Sequence, residues 1–208
     1  MAIIPQPAAA AEFAADLIFG YAGGPGGQAG LTLVHFAQGS PLRARLGLGY
    51  ASMAPGNAED AREIFINDND NGTPEKSGHD WNYRFDFLMP LSKNPASGLS
   101  VYGGPRYSRF TAKFKYVGGN EDFDVRSHQW GLGGGLENAV PVSRKLALRM
   151  SGGLDYFFAS ALEGHDTAYS PDGEHVNSRK DFEYKDADKA IHQPELAVHV
   201  LIGVGMKL

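Results

Sequence analysis

The sequence predicts an all-β fold, an eight-stranded antiparallel up-and-down β-barrel of the kind that crosses a membrane. Three observations predict it. Apolar residues recur at every second position over long runs, which marks strands with one greasy face and one small or polar face. Glycine is abundant (27 residues) and aromatics make up 11% of the chain, a combination that suits long, twisted, closely spaced strands. Short turns alternate with longer connections, as in a barrel whose two ends face different surroundings.

In order, residues 1–11 are a flexible lead-in and 12–208 a single barrel domain. In strand one Phe13, Ala15, Leu17, Phe19 and Tyr21 alternate with Ala14, Asp16, Ile18 and Gly20; a Gly-rich turn, 23–27, follows. Strand two spans 29–37 with neither face assigned, and 38–41 is a turn. Strand three sets Leu42, Ala44, Leu46, Leu48 and Tyr50 against Arg43, Arg45, Gly47 and Gly49. A polar loop, 54–77, leads to strand four, where Trp81, Tyr83, Phe85, Phe87 and Met89 oppose Asn82, Arg84, Asp86 and Leu88. After a turn at 92–97, strand five spans 98–117. Its apolar residues are odd at Leu99 and Val101 but even at Phe110, Ala112, Phe114 and Tyr116, with Pro105 between, so a β-bulge is expected there. A tight hairpin at 118–120 opens strand six, with Trp130, Leu132 and Leu136 against Gln129, Gly131, Gly133 and Glu137. Beyond the turn 141–143, strand seven places Leu146, Leu148, Met150, Leu154, Tyr156 and Phe158 opposite Arg149, Ser151, Gly153 and Asp155. A second charged loop, 163–190, precedes the last strand. There Leu196, Val198, Val200, Ile202, Val204, Met206 and Leu208 oppose Glu195, Ala197, His199, Leu201, Gly203 and Gly205. This strand closes the barrel against strand one.

Composition removes several classes of function. A net charge of -5 leaves no electrostatic footprint for nucleic acid. The absence of cysteine excludes disulfides, thiolate nucleophiles and cysteine metal sites. No apolar run is long enough for a membrane helix, and the mean hydropathy of -0.30 is compatible with a membrane barrel, whose lipid-facing and lumen-facing residues alternate. The first basic residue is Arg43, so the charged start of a signal peptide is missing. That fits either a cytosolic protein or a mature exported chain whose signal peptide has been removed.

The orientation of the greasy face separates a membrane barrel from a soluble calyx of the lipocalin kind, which would bind a hydrophobic small molecule. The apolar face is nearly uninterrupted and rich in large aromatics, more than one eight-stranded lumen holds. The opposite face mixes glycine and serine with charges of both signs, which suits a narrow interior where each charge needs a partner. The membrane reading therefore puts Leu46, Leu48, Trp81, Tyr83, Phe85, Phe87, Leu148, Leu154, Tyr156, Val198, Val200 and Ile202 against lipid. It puts Asp16, Arg43, Arg45, Arg84, Asp86, Glu137, Arg149, Asp155, Glu195 and His199 in a lumen charge network.

Over residues 12–208 this pattern resembles the small eight-stranded outer-membrane barrels of the OmpA/OmpX type. The final residues are also similar to the outer-membrane assembly signal (polar, x, Gly, x, x, hydrophobic, x, aromatic) at Gly203, Met206 and Leu208, and depart from it at Leu201 and Leu208. The resemblance implies a porin-like cell-envelope protein in a Gram-negative outer membrane. Its partners would be membrane lipid, lipopolysaccharide and the barrel assembly machinery, with no nucleic acid, no cofactor and a monomeric state.

The lumen charges form either a static plug or a restricted passive pore, and inner space favours the plug. Residues 67–72, with Asp68 and Asp70, have the rhythm of a calcium loop but lack its bidentate glutamate, since the twelfth position is Gly78. Some outer-membrane barrels modify lipid A with His and Ser residues. The only adjacent pair here, Ser127 and His128, points to opposite faces of its strand, and no catalytic residue is assigned. The loops 54–77 and 163–190 are the candidates to carry a structural or adhesive role towards host surfaces, phage or lipopolysaccharide. Lys113 and Lys115 would meet lipopolysaccharide phosphates if they face outward.

Overall fold

The structure, a computed structural model, describes residues 12–34, 40–91 and 98–208. The lead-in 1–11, the end of strand two at 35–37 with the first two residues of its turn, and the turn 92–97 lie outside the described residues. Eight long strands form one closed antiparallel barrel in chain order: β1 (Phe13–Ala22), β2 (Pro25–Leu33), β3 (Arg43–Met53), β4 (Thr73–Pro90), β5 (Leu99–Val117), β6 (Asp122–Pro141), β7 (Leu146–Phe157) and β10 (Leu196–Lys207). The ring closes where β1 pairs with β10, from Ala14 opposite Lys207 to Ala22 opposite His199. The two long loops carry helices α1 (Ala58–Phe65) and α2 (Tyr184–Ala190) and the two-residue strands β8 (Leu162–Glu163) and β9 (Ala168–Tyr169).

Two local expectations are corrected. The Gly-rich stretch 23–27 is mostly strand, and only Gly23 and Gly24 turn the chain. Glycine serves close approach here: a Cβ on Gly24 would stand 1.8 Å from the Ser52 carbonyl oxygen, and one on Gly26 would stand 2.2 Å from that of Tyr50. The bulge expected at Pro105 is absent. β5 keeps one register with β4, from Thr73 opposite Val117 to Pro90 opposite Ser100, and one register with β6, from Leu99 opposite Asn138 to Lys115 opposite Asp122.

Even-numbered side chains of β5 therefore point inward along its whole length, and it is the surroundings that change. Ser100, Tyr102, Arg106 and Ser108 are buried in a polar lumen, whereas Phe110, Ala112, Phe114 and Tyr116 are buried in an apolar core. A membrane-spanning strand needs about 9–11 residues, but β4, β5 and β6 have 18, 19 and 20. Their outer halves stand beyond the exposed apolar belt, and on β5 and β6 the polarity there is that of a water-soluble sheet, with Phe110, Phe114, Phe123 and Val125 buried inside and charged residues outside.

The long loops fold onto this extension. Asn57 caps α1 by accepting from the Glu59 N–H at 3.1 Å, and Glu59 and Asp60 in the first turn suit the positive end of the helix. The buried face of α1, Ala58, Ala61, Ile64 and Phe65, packs with Phe110, Phe114, Phe123, Tyr169 and Ala187 and Ala190 of α2 in one cluster. The Tyr116 hydroxyl donates to the Ala58 carbonyl at 2.6 Å, tying the helix start to the wall. These elements make an ordered headpiece across the long-loop end of the barrel.

Phe114 is fully buried there, and Phe114→Ala is expected to cost the headpiece about 3–5 kcal/mol. Hydrogen exchange in micelles should show α1 and α2 losing protection while β1, β7 and β10 keep theirs.

Candidate functional site

Seven of the eight barrel strands contribute a side chain to one chain of alternating charges inside the barrel. It runs from Asp16 on β1 to Arg149 on β7 (3.2 Å), and from Arg149 to Glu137 on β6 (2.5 Å). Glu137 meets Arg45 on β3 at 2.5 Å, and Arg45 meets Asp86 on β4 at 3.1 Å. Asp86 is 2.8 Å from Arg106 on β5, and Arg106 is 2.7 Å from Asp155 on β7. Asp155 also takes Arg84 at 3.1 Å and lies 3.4 Å from His199 on β10. Each of these groups is under 10% exposed. Four arginines face four carboxylates, so the formal charges of the chain cancel before His199 is counted.

Space for the guanidinium groups comes from glycine. A Cβ on Gly133 would lie 1.8 Å from an Asp155 carboxylate oxygen and 2.7 Å from Arg106 Nε, and one on Gly205 would meet the Arg149 side chain at 2.7 Å. β2, the strand without a charge in the chain, contributes buried Gln28 and Thr32 and leaves room for Asp16 at Gly30.

The sequence-derived lumen set meets here with two exceptions. Glu195 is exposed: it precedes β10 at the long-loop rim, where the alternation no longer points into the barrel. Arg43 is half-buried at the short-turn end of β3, one step out from Arg45 on the same face, and takes no part in this chain. Arg106, fully buried at the centre, was hidden by the expected bulge. The available signal was its even phase, shared with Ser100, Tyr102 and Ser108. On the outer face stand Leu46, Leu48, Trp81, Tyr83, Phe87, Leu148, Leu154, Tyr156, Val198, Val200 and Ile202, all at least about a third exposed. Phe85 is half-buried beside the Phe87 ring, 5.0 Å away.

A hydrogen-bonded cluster adjoins the charges. The Tyr102 hydroxyl contacts His199 Nε2 and lies 3.1 Å from Ser151 Oγ. It is packed against strand backbone: a Cβ on Gly135 would be 2.8 Å from the Tyr102 oxygen, and one on Gly153 would be 2.9 Å from His199 Nε2. The cavity above, bordered by Asp80, Arg84, Asp155 and His199, measures about 30 Å³, room for a water molecule or two. Ser127 is buried and His128 exposed on opposite faces of β6.

In the headpiece, residues 67–72 gather around an arginine. Arg62 donates to the carbonyls of Asn69 and Asn71, the latter at 2.7 Å, and lies 3.2 Å over the Tyr116 ring. Asp68 pairs with Arg179 and Asp70 is exposed. No group of three potential metal-binding side chains occurs among the described residues. In this segment the carbonyls of Asn69 and Asn71 are turned to a guanidinium. Glu121 completes the arrangement, accepting from Asn67, Asn69 and Arg62 at 3.3 Å each.

Two outcomes follow. Arg106→Met takes one arginine partner from each of Asp86 and Asp155 and leaves the lumen with one uncompensated carboxylate, and it is expected to destabilise the barrel by about 3–5 kcal/mol, read from denaturant unfolding in micelles; Arg43→Met should cost far less. Hydrogen bonds, first that from Asn67, hold Glu121 below the ordinary glutamate range. Its folded pKa is the lower one, so its stabilisation is present above the unfolded value of about 4.3 and is lost as pH falls below it. Proteolysis within 67–72 should accelerate on acidification through that window, and Glu121→Gln should flatten the dependence.

Comparison with known proteins bears on the barrel as a whole. No protein-family model matches the chain, and no curated protein matches it. Among solved structures, a major outer membrane protein from Thermus thermophilus is 25% identical, superposes with a TM-score of 0.78, and covers 96% of this chain and 100% of its own. Neisserial surface protein A is 12% identical with a TM-score of 0.44, covering 98% of this chain and 100% of its own. The closed ring of eight antiparallel strands and the Thermus likeness agree: the chain is an outer-membrane protein of the small eight-stranded β-barrel type.

Proposed function

We propose that the protein is a non-conducting, non-enzymatic outer-membrane anchor that holds an ordered headpiece at the cell surface, with a structural or adhesive role carried by the loops 54–77 and 163–190. The observation that supports this is the lumen charge chain. Arg45, Arg106 and Arg149 each bridge two carboxylates, so opening a path for ions would break several buried pairs at once, at about 3–5 kcal/mol for each charge left alone. On this reading the outer apolar face meets acyl chains, the barrel assembly machinery inserts the chain, and one copy suffices. The small cavity beside His199 and Asp155 has room for a water molecule or two, which supports an anchor over a lipid-modifying enzyme.

Purified protein, verified as folded by its shifted gel mobility in SDS before boiling, is expected to give no discrete conductance steps in planar bilayers. Resolved single-channel steps from the folded protein would overturn the reading.

A further inference from the structure

The outer wall of β4, β5 and β6 changes chemistry over two rows of residues. Strand register puts Tyr83, Tyr107 and Trp130 side by side. Their rings are close, Tyr107 lying 6.1 Å from Tyr83 and 5.0 Å from Trp130. The next row towards the headpiece is Trp81, Arg109 and His128, and the one after it His79, Thr111 and Arg126. Successive rows on one face are about 7 Å apart along the strands. Aromatic girdles mark the boundary of the hydrocarbon, so Arg109 and His128 stand at the depth of the headgroup phosphates. Because the longer loops of such barrels face outward, the leaflet concerned is the outer one.

A shallow recess of about 440 Å³ opens between Tyr83, Tyr107, Arg109 and His128. His128 stacks on Tyr107 at 6.3 Å, and its Nδ1 lies 3.3 Å from the Tyr107 hydroxyl. Arg109 is exposed and has no carboxylate partner among the described residues, whereas Arg126 is held by Asp124 at 2.5 Å. Farther out, Lys113 stands opposite Asp124, and Lys115 stands between Glu75 and Asp122, so cross-strand acids offset both. Both lysines are on the outward face, but the recess with an uncommitted cation is two to three rows nearer the girdle.

We propose that this recess binds the phosphate of an outer-leaflet lipid headgroup. The Arg109 fork matches phosphate oxygens in a bidentate manner, His128 supplies a ring N–H, and Tyr83 and Tyr107 pack against the region where the acyl chains begin. The proposal uses the outer-membrane placement of the barrel and is independent of the anchor reading.

The test uses the whole protein in neutral-detergent micelles with monophosphoryl lipid A, or with a phosphate-free galactosyl diacylglycerol of matched chains. Retained lipid is counted by native mass spectrometry. Wild type is expected to retain lipid A over the galactolipid, Arg109→Ala to weaken that retention about tenfold, a change worth about 1.4 kcal/mol, and Arg109→Lys to fall between. Lys115→Ala should match wild type, and about 0.5 M salt should weaken retention by screening. Equal retention by Arg109→Ala, or equal retention of the galactolipid, would sink the proposal. So would inorganic phosphate displacing lipid A at matched concentration, since the site would then be one for free phosphate. If Arg109→Ala fails the gel test of folding, His128→Ala decides: a loss of retention supports the site, and wild-type retention overturns it.

Discussion

A charge inside an eight-stranded barrel has nowhere to go except to another charge, and this constraint organises the transmembrane half of the protein. The interior is just wide enough for side chains, so four guanidinium groups and four carboxylates exclude bulk water and must satisfy one another. Half of the contacts that do this join strands that are not neighbours. Arg45 on β3 reaches Glu137 on β6, and Arg84 on β4 reaches Asp155 on β7. Such contacts specify register as well as closure. A slip of one residue would send an arginine to the bilayer and a leucine to the lumen. Buried ion pairs add little net stability over well-packed apolar groups, so their worth here lies in making every alternative register costly.

The same logic explains why the small face of these strands is so rich in glycine. Arg106 and Asp155 can approach only because Gly133 has no Cβ to occupy their contact, and the Arg149 side chain crosses the face of β10 at Gly205. The glycines are the complement of the arginines. For Arg106 and Arg149 the strand the side chain leans over supplies the vacancy, at Gly133 and Gly205.

Much of this was legible in the sequence because period-2 alternation in strands three, four, seven and eight is nearly perfect. The eight strands, the outward set from Leu46 to Ile202 and most of the inward charges follow from it directly. The misreadings share one cause, that alternation reports polarity and polarity depends on what lies outside the wall. On β5 the apolar phase moves from Leu99 and Val101 to Phe110 and Phe114 although the backbone never slips, because the strand leaves the membrane partway. Taking that inversion for a bulge concealed Arg106. Glu195 was misplaced for the related reason that a strand's phase stops meaning anything where the strand stops. Arg62 was beyond reach, since nothing in the spacing of 54–77 says that an arginine in the preceding helix will take the carbonyls of Asn69 and Asn71. The salt-bridge pairs likewise depend on which strands face each other across the lumen, information that no single strand carries.

The plug and the headpiece are thus two answers to one boundary condition. Where lipid surrounds the wall, the outer face must be apolar and the polar residues collect inside as ion pairs. Where water surrounds it, the outer face is free to be charged, and phenyl rings and two helices fill the inside. The change of filling occurs in one layer, where the Ser108 hydroxyl donates to the Asp80 carboxylate at 2.5 Å. Below that layer lie Arg84 and Arg106, and above it Phe110 begins the apolar core. On the outside the same level is marked by the passage from Tyr107 to Arg109. Interior and exterior therefore switch together along β5, in opposite senses, and the strand itself records the depth of the membrane surface.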